Sequence, residues 1–483
     1  MGHRHRSLLL PLVDLTMTAP APGDDATTSP LPHSSARLPR RRGGRRIAVV
    51  AVTATALFVG GALGVGLLGD NTGAGADALD AAAFSNPGSA LAISPVAASS
   101  DQTAVQITRL QDRLVDLPQD ASSWAALGSA YVQQARITLD PGFYPKAEGA
   151  LKRSLELRPR ENLAALVGMG ALANARHEFA SAARWGQRAV EVSGFNPDAY
   201  AVLADAYTQL GQPAEATRAV QRMLDLSPAL PALTRGSYDL EQRGDRAGAI
   251  ALMQRALKDA FTPADIGFCR YYLGELAFSA GDLVTAAGHY EAGLAADPRS
   301  APLLQGRAKV TALRGDVDGG LRDYATLVGR VPNPQYVVEY AELLTKAGQV
   351  KQAREQFALV ETLHEIFAGN GGRDDLALAE YEADHGDAEK AVTYARAEWQ
   401  ARKSVVVADA LAWALHRAGR NKEALVFADR AVARGWRNAL FFHHRAEIRR
   451  ALGDTVGAAA DEQRARRDNP AFDPTLPAFG RPT

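Results

Sequence analysis

The stretch YAVLADAYTQLGQPAEATRAVQRMLDLSP, residues 200–228, decides the fold. Tyr200, Leu203, Ala204 and Tyr207 recur at helical spacing, and a second run of helix-forming residues opens at Ala216. Between them stands Gly211. Glycine in a helix interior costs roughly 1 kcal/mol relative to alanine, so it marks a turn between two helices. Pro228 then ends the second helix, because proline cannot continue one.

The same arrangement recurs along the chain. Glycines stand at 211, 244, 281, 315, 348, 386, 419 and 453, separated by 33, 37, 34, 33, 38, 33 and 34 residues. Seven residues before each comes Ala204, Ser237, Gly274, Ala308, Ala341, Ala379, Ala412 or Ala446. Five residues after each comes Ala216, Ala249, Ala286, Gly320, Ala353, Ala391, Ala424 or Ala458. All sixteen positions are Ala, Gly or Ser. A period near 34 with small residues at two fixed offsets describes stacked helical hairpins, each small pair lying where its two helices approach most closely. Upstream, Gly170 and Ala182 flank His177, which occupies a glycine position. Before that, Trp124, Leu127, Gly128 and Tyr131 precede Ala147, Leu151 and Pro159. Ten units therefore run from about 121 to 473.

Tyr200, Leu203, Ala204, Tyr207, Gly211, Ala216 and Pro228 resemble the tetratricopeptide repeat (TPR), as do the other nine units. The likeness covers about three-quarters of the chain. DALAWALHRAGRNKEAL (409–425) and NPAF (469–472) are also similar to membrane-linked TPR proteins of actinobacteria, a likeness that implies no defined activity. The expected fold class is all-α: a right-handed superhelical TPR α-solenoid of about ten helix-turn-helix repeats, preceded by one transmembrane helix.

In such a superhelix the first helix of each unit lines the concave face. With the first small residue numbered 8, position 9 reads Ser129, Ala171, Asp205, Tyr238, Glu275, Lys309, Glu342, Glu380, Trp413 and Glu447. Five are acidic and one is basic, which suits a basic or amide-rich peptide. The Lys, Asn and Arg side chains with which some TPR domains hold a chaperone's C-terminal carboxylate are missing there. Tyr238, Tyr271 and Glu275 form one cluster, and Asp409, Trp413, His416, His443 and Glu447 another. With Asp205, Glu342 and Glu380 these are the candidate groove residues. The expectation is a protein-protein interaction scaffold that binds a protein or peptide, and not an enzyme; an oligomerising scaffold is the runner-up.

From a different class comes a metal-dependent enzyme or sensor. His443 and Glu447 share a helix face, and His416 lies in the preceding unit, giving two nitrogens and one oxygen. The chain has no HExxH, no GxSxG and no Walker A motif. GDVDGG (315–320) lacks the remaining carboxylates of a calcium loop, and GNGGRDD (369–375) follows no strand. Neither a cofactor nor a metal nor a small-molecule substrate is expected. The single cysteine, Cys269, makes no intrachain disulfide and reads as a small core residue.

The net charge of zero is uneven. Residues 1–46 hold eight Arg against three Asp, or +5, which leaves the other 437 residues near −5. An acidic body speaks against nucleic acid as a partner, since that affinity rests on Lys and Arg. Residues 47–69 carry no charge and reach about 34 Å as a helix, enough for the roughly 30 Å hydrocarbon core of a membrane. Six Arg lie just before them, within 37–46, so the positive-inside rule puts 1–46 in the cytoplasm and the repeats outside, on a single-pass cell-membrane anchor. A cleaved secretory signal and a Tat-type signal are alternatives, the first giving a secreted protein. Residues 17–39 are rich in Pro, Thr and Ser and read as disordered within the basic segment; residues 70–104 read as a flexible linker. A short leading helix is expected over 105–120, the solenoid over 121–473 and a tail over 474–483. Insertions interrupt the period near 135–146 and 361–374.

Overall fold

The structure is a computed structural model that describes residues 100–482. The expected cytoplasmic segment (1–46), membrane span (47–69) and all but the end of the linker (70–104) lie outside the described residues. Among the described residues no helix is long and apolar enough to cross a membrane.

Helix α1 (Ser100–Asp116) leads in and buries Ile107, Leu110 and Leu114 against Leu127, Ala130 and Tyr131. Ten antiparallel pairs follow. They are α2 (Ala121–Thr138) with α3 (Tyr144–Leu157), α4 (Leu163–Ala175) with α5 (Phe179–Val192), and α6 (Pro197–Gln209) with α7 (Pro213–Leu226). Next come α8 (Leu230–Gln242) with α9 (Arg246–Lys258), α10 (Pro263–Phe278) with α11 (Leu283–Ala296), and α12 (Ala301–Leu313) with α13 (Val317–Arg330). Helix α14 (Pro334–Lys346) pairs with α15 (Val350–Phe357), which continues after a break at Ala358 as α16 (Leu359–Gly369). The last three pairs are α17 (Asp375–His385) with α18 (Ala388–Ala401), α19 (Val405–Arg417) with α20 (Asn421–Val432), and α21 (Ala439–Ala451) with α22 (Thr455–Asp468). Many helices start on a side-chain cap such as Asn196, Asp245, Asp316 or Asn438, each accepting from a first-turn N–H. Each cap contributes about 1 kcal/mol.

The small pairs sit at the closest approach of the two helices. Ala204 and Ala216, Ala341 and Ala353, Ala412 and Ala424 are all buried. A Cβ on Gly274 would lie 2.3 Å from the ring of Tyr290, and one on Gly128 2.5 Å from Leu151. Seven of the eight repeat glycines have positive φ, from +68° at Gly211 to +101° at Gly315. Gly386 departs, with φ −129°. There the Glu382 carboxylate accepts from the Asp387 N–H at 2.7 Å, so a side chain closes the turn that a left-handed residue closes elsewhere. His177 does adopt the left-handed conformation, with φ +61°.

Both insertions are more ordered than loops. At the first, α2 runs on to Thr138 and reverses through Leu139 (φ +53°) and a 3-10 turn at Pro141–Phe143. The second is mostly α16, after which Arg373 donates its N–H to the Arg176 carbonyl at 3.1 Å.

That last contact belongs to a seam. The solenoid curves until one superhelical turn touches the next. The Arg402 guanidinium reaches Gln209, that of Arg434 reaches Gln242 at 2.6 Å, and the Asn469 amide donates to the Phe278 carbonyl at 3.3 Å, at offsets of 193, 192 and 191 residues. The inter-helix turns of the third, fourth and fifth units thus pack on the ends of the eighth, ninth and tenth. A Cβ on Gly211 would lie 2.2 Å from the Lys403 carbonyl oxygen, and one on Gly244 2.4 Å from that of Gly435. Around Gly419 there is open space.

The tail expected at 474–483 also packs. Its described part folds back through a 3-10 turn at Pro477–Gly480 and buries Leu476, Ala478 and Phe479 inside the superhelix.

Candidate peptide-binding groove

The inner wall is built from the first helices of the pairs, and between α14 and α21 the chain's own C-terminal segment lies on it. Phe479 stands 6.0 Å from the ring of Tyr324. The Ala478 N–H donates to Glu342 Oε2 at 3.0 Å, and the Asn438 amide donates to the Gly480 carbonyl at 3.1 Å. Arg481 enters a carboxylate pair, with Nε 3.2 Å from Glu380 Oε2 and Nη2 2.6 Å from Asp384 Oδ2. Burial alone would lower its pKa, yet Glu380, Asp384 and Glu342 hold the guanidinium above its ordinary value. Across the chain end, Lys346 Nζ binds Asp473 at 2.5 Å.

The expected groove residues divide by what they touch. Glu342 and Glu380 hold the segment just described, and Glu342 also bonds His385 at 2.9 Å. Trp413 donates from Nε1 to Asp384 at 2.7 Å and stacks on His444 at 4.1 Å, so it braces the same wall. Asp409 is buried and paired with His444 at 2.9 Å, and Tyr271 is a core residue whose hydroxyl donates to Gln305 at 3.2 Å. Each is covered by the first helix of the next pair, Asp409 by α21 through His444 and Tyr271 by α12 through Gln305. Glu275 is taken by the Tyr290 hydroxyl at 2.6 Å and by the buried Lys309 at 3.1 Å. Asp205 forms a two-point pair with Arg235, at 2.8 and 2.7 Å. Tyr238 lies edge-on to Trp436 at 5.9 Å and lines the lumen beside them.

The metal expectation does not assemble as drawn. His416 bonds Asn421 at 2.7 Å and stacks on Trp413; the residue that joins His443 and Glu447 is Glu462, 2.9 Å from His443. His416 lies in the pair before, whereas Glu462 faces His443 from α22, the partner helix of its own pair. Arg450 already pairs with both glutamates and supplies the positive charge that a cation would bring. A second cluster, Glu342, Asp384 and His385, is the one the C-terminal segment uses.

Two residues escaped the sequence reading. Asp384 lies outside the chosen positions, at the end of α17, and Arg481 lies in a stretch with no periodicity. The acidic bias of position 9 was the available signal for the first.

No family model matches the chain, and no curated protein matches it. Among solved structures it is similar to a human IFIT1 dimer with PPP-AAAA, at 13% identity over 76% of this chain and 87% of that one, TM-score 0.42. It is similar to TTC0263, a thermophilic TPR protein of Thermus thermophilus, at 23% identity over 35% and 92%, TM-score 0.33. It is also similar to Cut9 in the Cut9–Hcn1 assembly, at 12% identity over 78% and 80%, TM-score 0.38. The fold assignment rests on the ten hairpins themselves.

Proposed function

We propose that the chain is a protein-interaction scaffold whose inner wall binds a short turn-forming peptide carrying an arginine next to apolar residues. One observation carries the reading: residues 476–481 already lie on that wall, with Arg481 between Glu380 and Asp384 and backbone groups bonded to Glu342 and Asn438. A wall that satisfies both the side chain and the backbone of such a segment has what peptide recognition needs. In this reading the C-terminal segment is a ligand in cis, and a partner with the same chemistry competes with it. The mechanism is complementarity of shape and charge. The reading keeps the anchor expected at 47–69, with the repeats outside the cytoplasm, on the charge asymmetry of the sequence; protease accessibility on intact cells tests that part.

A labelled peptide of residues 472–483 tests the groove. It should bind the full chain carrying Arg481→Glu, whose own segment is repelled, more tightly than the unaltered chain. The same peptide with Glu in place of its arginine should bind neither. Equal binding of both peptides overturns the reading.

A further inference from the structure

The lumen holds a second feature, away from the C-terminal segment. Two chambers of about 340 and 290 Å³ adjoin between α2 and α10 and share Arg136, Asp205, Arg235 and Tyr238 as a common wall. The larger is polar on its far side, where His177, Asn174 and Arg402 line it. The smaller has one apolar side, made by Met253, Phe268, Tyr272 and Leu276, with Glu241 also on its lining.

One arginine of the common wall is left without a direct partner, although Asp198 lines the larger chamber and Glu241 the smaller. Arg235 is neutralised by Asp205, and Arg402 by Glu398 and Asp374 on the returning turn. Arg136 has no hydrogen-bond or ion-pair partner among the described residues. Arg136 is exposed to the lumen, where the surrounding protein and Arg235 lower its pKa to about 10 while Tyr272 and Asp205 favour its charge, so the guanidinium stands open to an incoming anion.

The polar side is unsatisfied in the complementary sense. Asn174 Oδ1 and His177 Nδ1 are buried and meet no donor among the described residues. An unpaired buried acceptor is uncommon in a folded protein. His177 is also out of place by the logic of the repeat. It stands where seven other units have a glycine with positive φ, and it takes φ +61°. Its ring is fixed between Phe179 and Phe367, 5.4 and 5.6 Å away, and burial holds it neutral, so Nδ1 can accept. A strained side chain kept at a turn that suits glycine points to a use for it.

We propose that these chambers form a binding site for a small α-amino or α-hydroxy acid with an apolar side chain. The carboxylate lies against Arg136, the amino or hydroxyl donor against Asn174 and His177, and the apolar group in the chamber of Phe268 and Tyr272. The volumes suit a small organic molecule. The seam builds the site, since Arg402 and Phe367 come from the later superhelical turn.

Calorimetry and thermal melting on the full chain test this with free phenylalanine, phenyllactate, 3-phenylpropionate, 2-phenylethylamine and inorganic phosphate. Phenylalanine or phenyllactate should bind and raise the melting temperature. Phenylpropionate, which lacks the donor, should bind at least tenfold more weakly, and phenylethylamine, which lacks the carboxylate, should not bind. Arg136→Gln should lose at least tenfold in affinity. His177→Phe, which keeps a ring between Phe179 and Phe367 and removes only the acceptor, should bind at least tenfold more weakly, a loss that a purely structural role does not give. No binding of either acid at millimolar concentration, binding of phosphate alone, or unchanged affinity in Arg136→Gln overturns the proposal.

Discussion

Arg481 is fixed by two carboxylates of one helix, 2.6 Å from Asp384 and 3.2 Å from Glu380, although it lies about a hundred residues downstream of them in the chain. The side chain is 9% exposed, so the interaction is poorly screened by solvent.

Arg481→Ala should therefore destabilise the chain by about 3 kcal/mol, because it leaves two carboxylates with Glu342 nearby and no counter-charge. Denaturant unfolding measures the loss. Hydrogen exchange should also show the N–H of Ala478 losing its protection, while α2 to α5 keep theirs. Protection unchanged at Ala478 would mean that the arginine is not what holds the segment.

The seam separates glycines that look alike. Gly244 and Gly419 have nearly the same φ, +79° and +75°. Alanine at either position meets the same left-handed strain, about 1 kcal/mol. At Gly244 the added methyl also meets the Gly435 carbonyl, whereas at Gly419 it meets nothing. Gly244→Ala should cost at least 2 kcal/mol more than Gly419→Ala by denaturant unfolding. Equal losses would mean that the superhelical turns are not in contact.

Glu339 gives the chain a pH signature. It is wholly buried, accepts from Gln305 at 2.8 Å, Tyr324 at 3.0 Å and Gln335 at 3.1 Å, and is pushed up by burial to about 7. Unfolded, it titrates near 4.5. Between those values the folded chain binds a proton that the unfolded chain does not. Its contribution to stability is thus complete below 4.5 and is lost as pH rises through about 7. His177, His289, His416 and His443 act oppositely, since burial lowers their pKa and folding weakens as pH falls below about 6.5. The comparison that isolates Glu339 is the unaltered chain against Glu339→Gln. Their stability difference should shift in favour of the unaltered chain by on the order of 1.4 kcal/mol per pH unit between pH 7 and 5. A pH-independent difference would show that the carboxyl is ionised throughout.

Ala424 lies against α19 with no exposed surface, opposite Ala412. Ala424→Trp should force the two helices apart and remove exchange protection across 405–451. Unchanged protection there would contradict the packing.

The repeat was legible because its constraint is local. Ala204 and Ala216 answer each other across one hairpin, and the chain repeats that answer often enough to be seen. The seam was not legible. It joins positions some 190 residues apart, and Gly211 and Gly419 carry the same letter in the same place although only one is overlaid. The groove was half legible. The acids of position 9 marked the right wall at Glu342 and Glu380, but a pattern of residue types does not say which acid already has a partner. Asp409 and Tyr271 are taken by His444 and Gln305 of the next pair, and Asp205 and Glu275 by Arg235 and Lys309. The C-terminal segment carried no periodicity from which its place could be read. Gly386 shows the converse: a matching letter in a turn that Glu382 closes by other means.

The offset of 191–193 residues across the seam also sets a timetable for biosynthesis. In an open array each hairpin needs only its neighbours and can settle as it leaves the ribosome. Here the turns at Gly211, Gly244 and Gly281 have one side uncovered until Lys403, Gly435 and Pro470 have been made. At about 5–20 residues per second that wait is roughly 10–40 s. During it the nascent chain is a half-finished coil, and the chamber around Arg136 lacks the wall that Arg402 supplies.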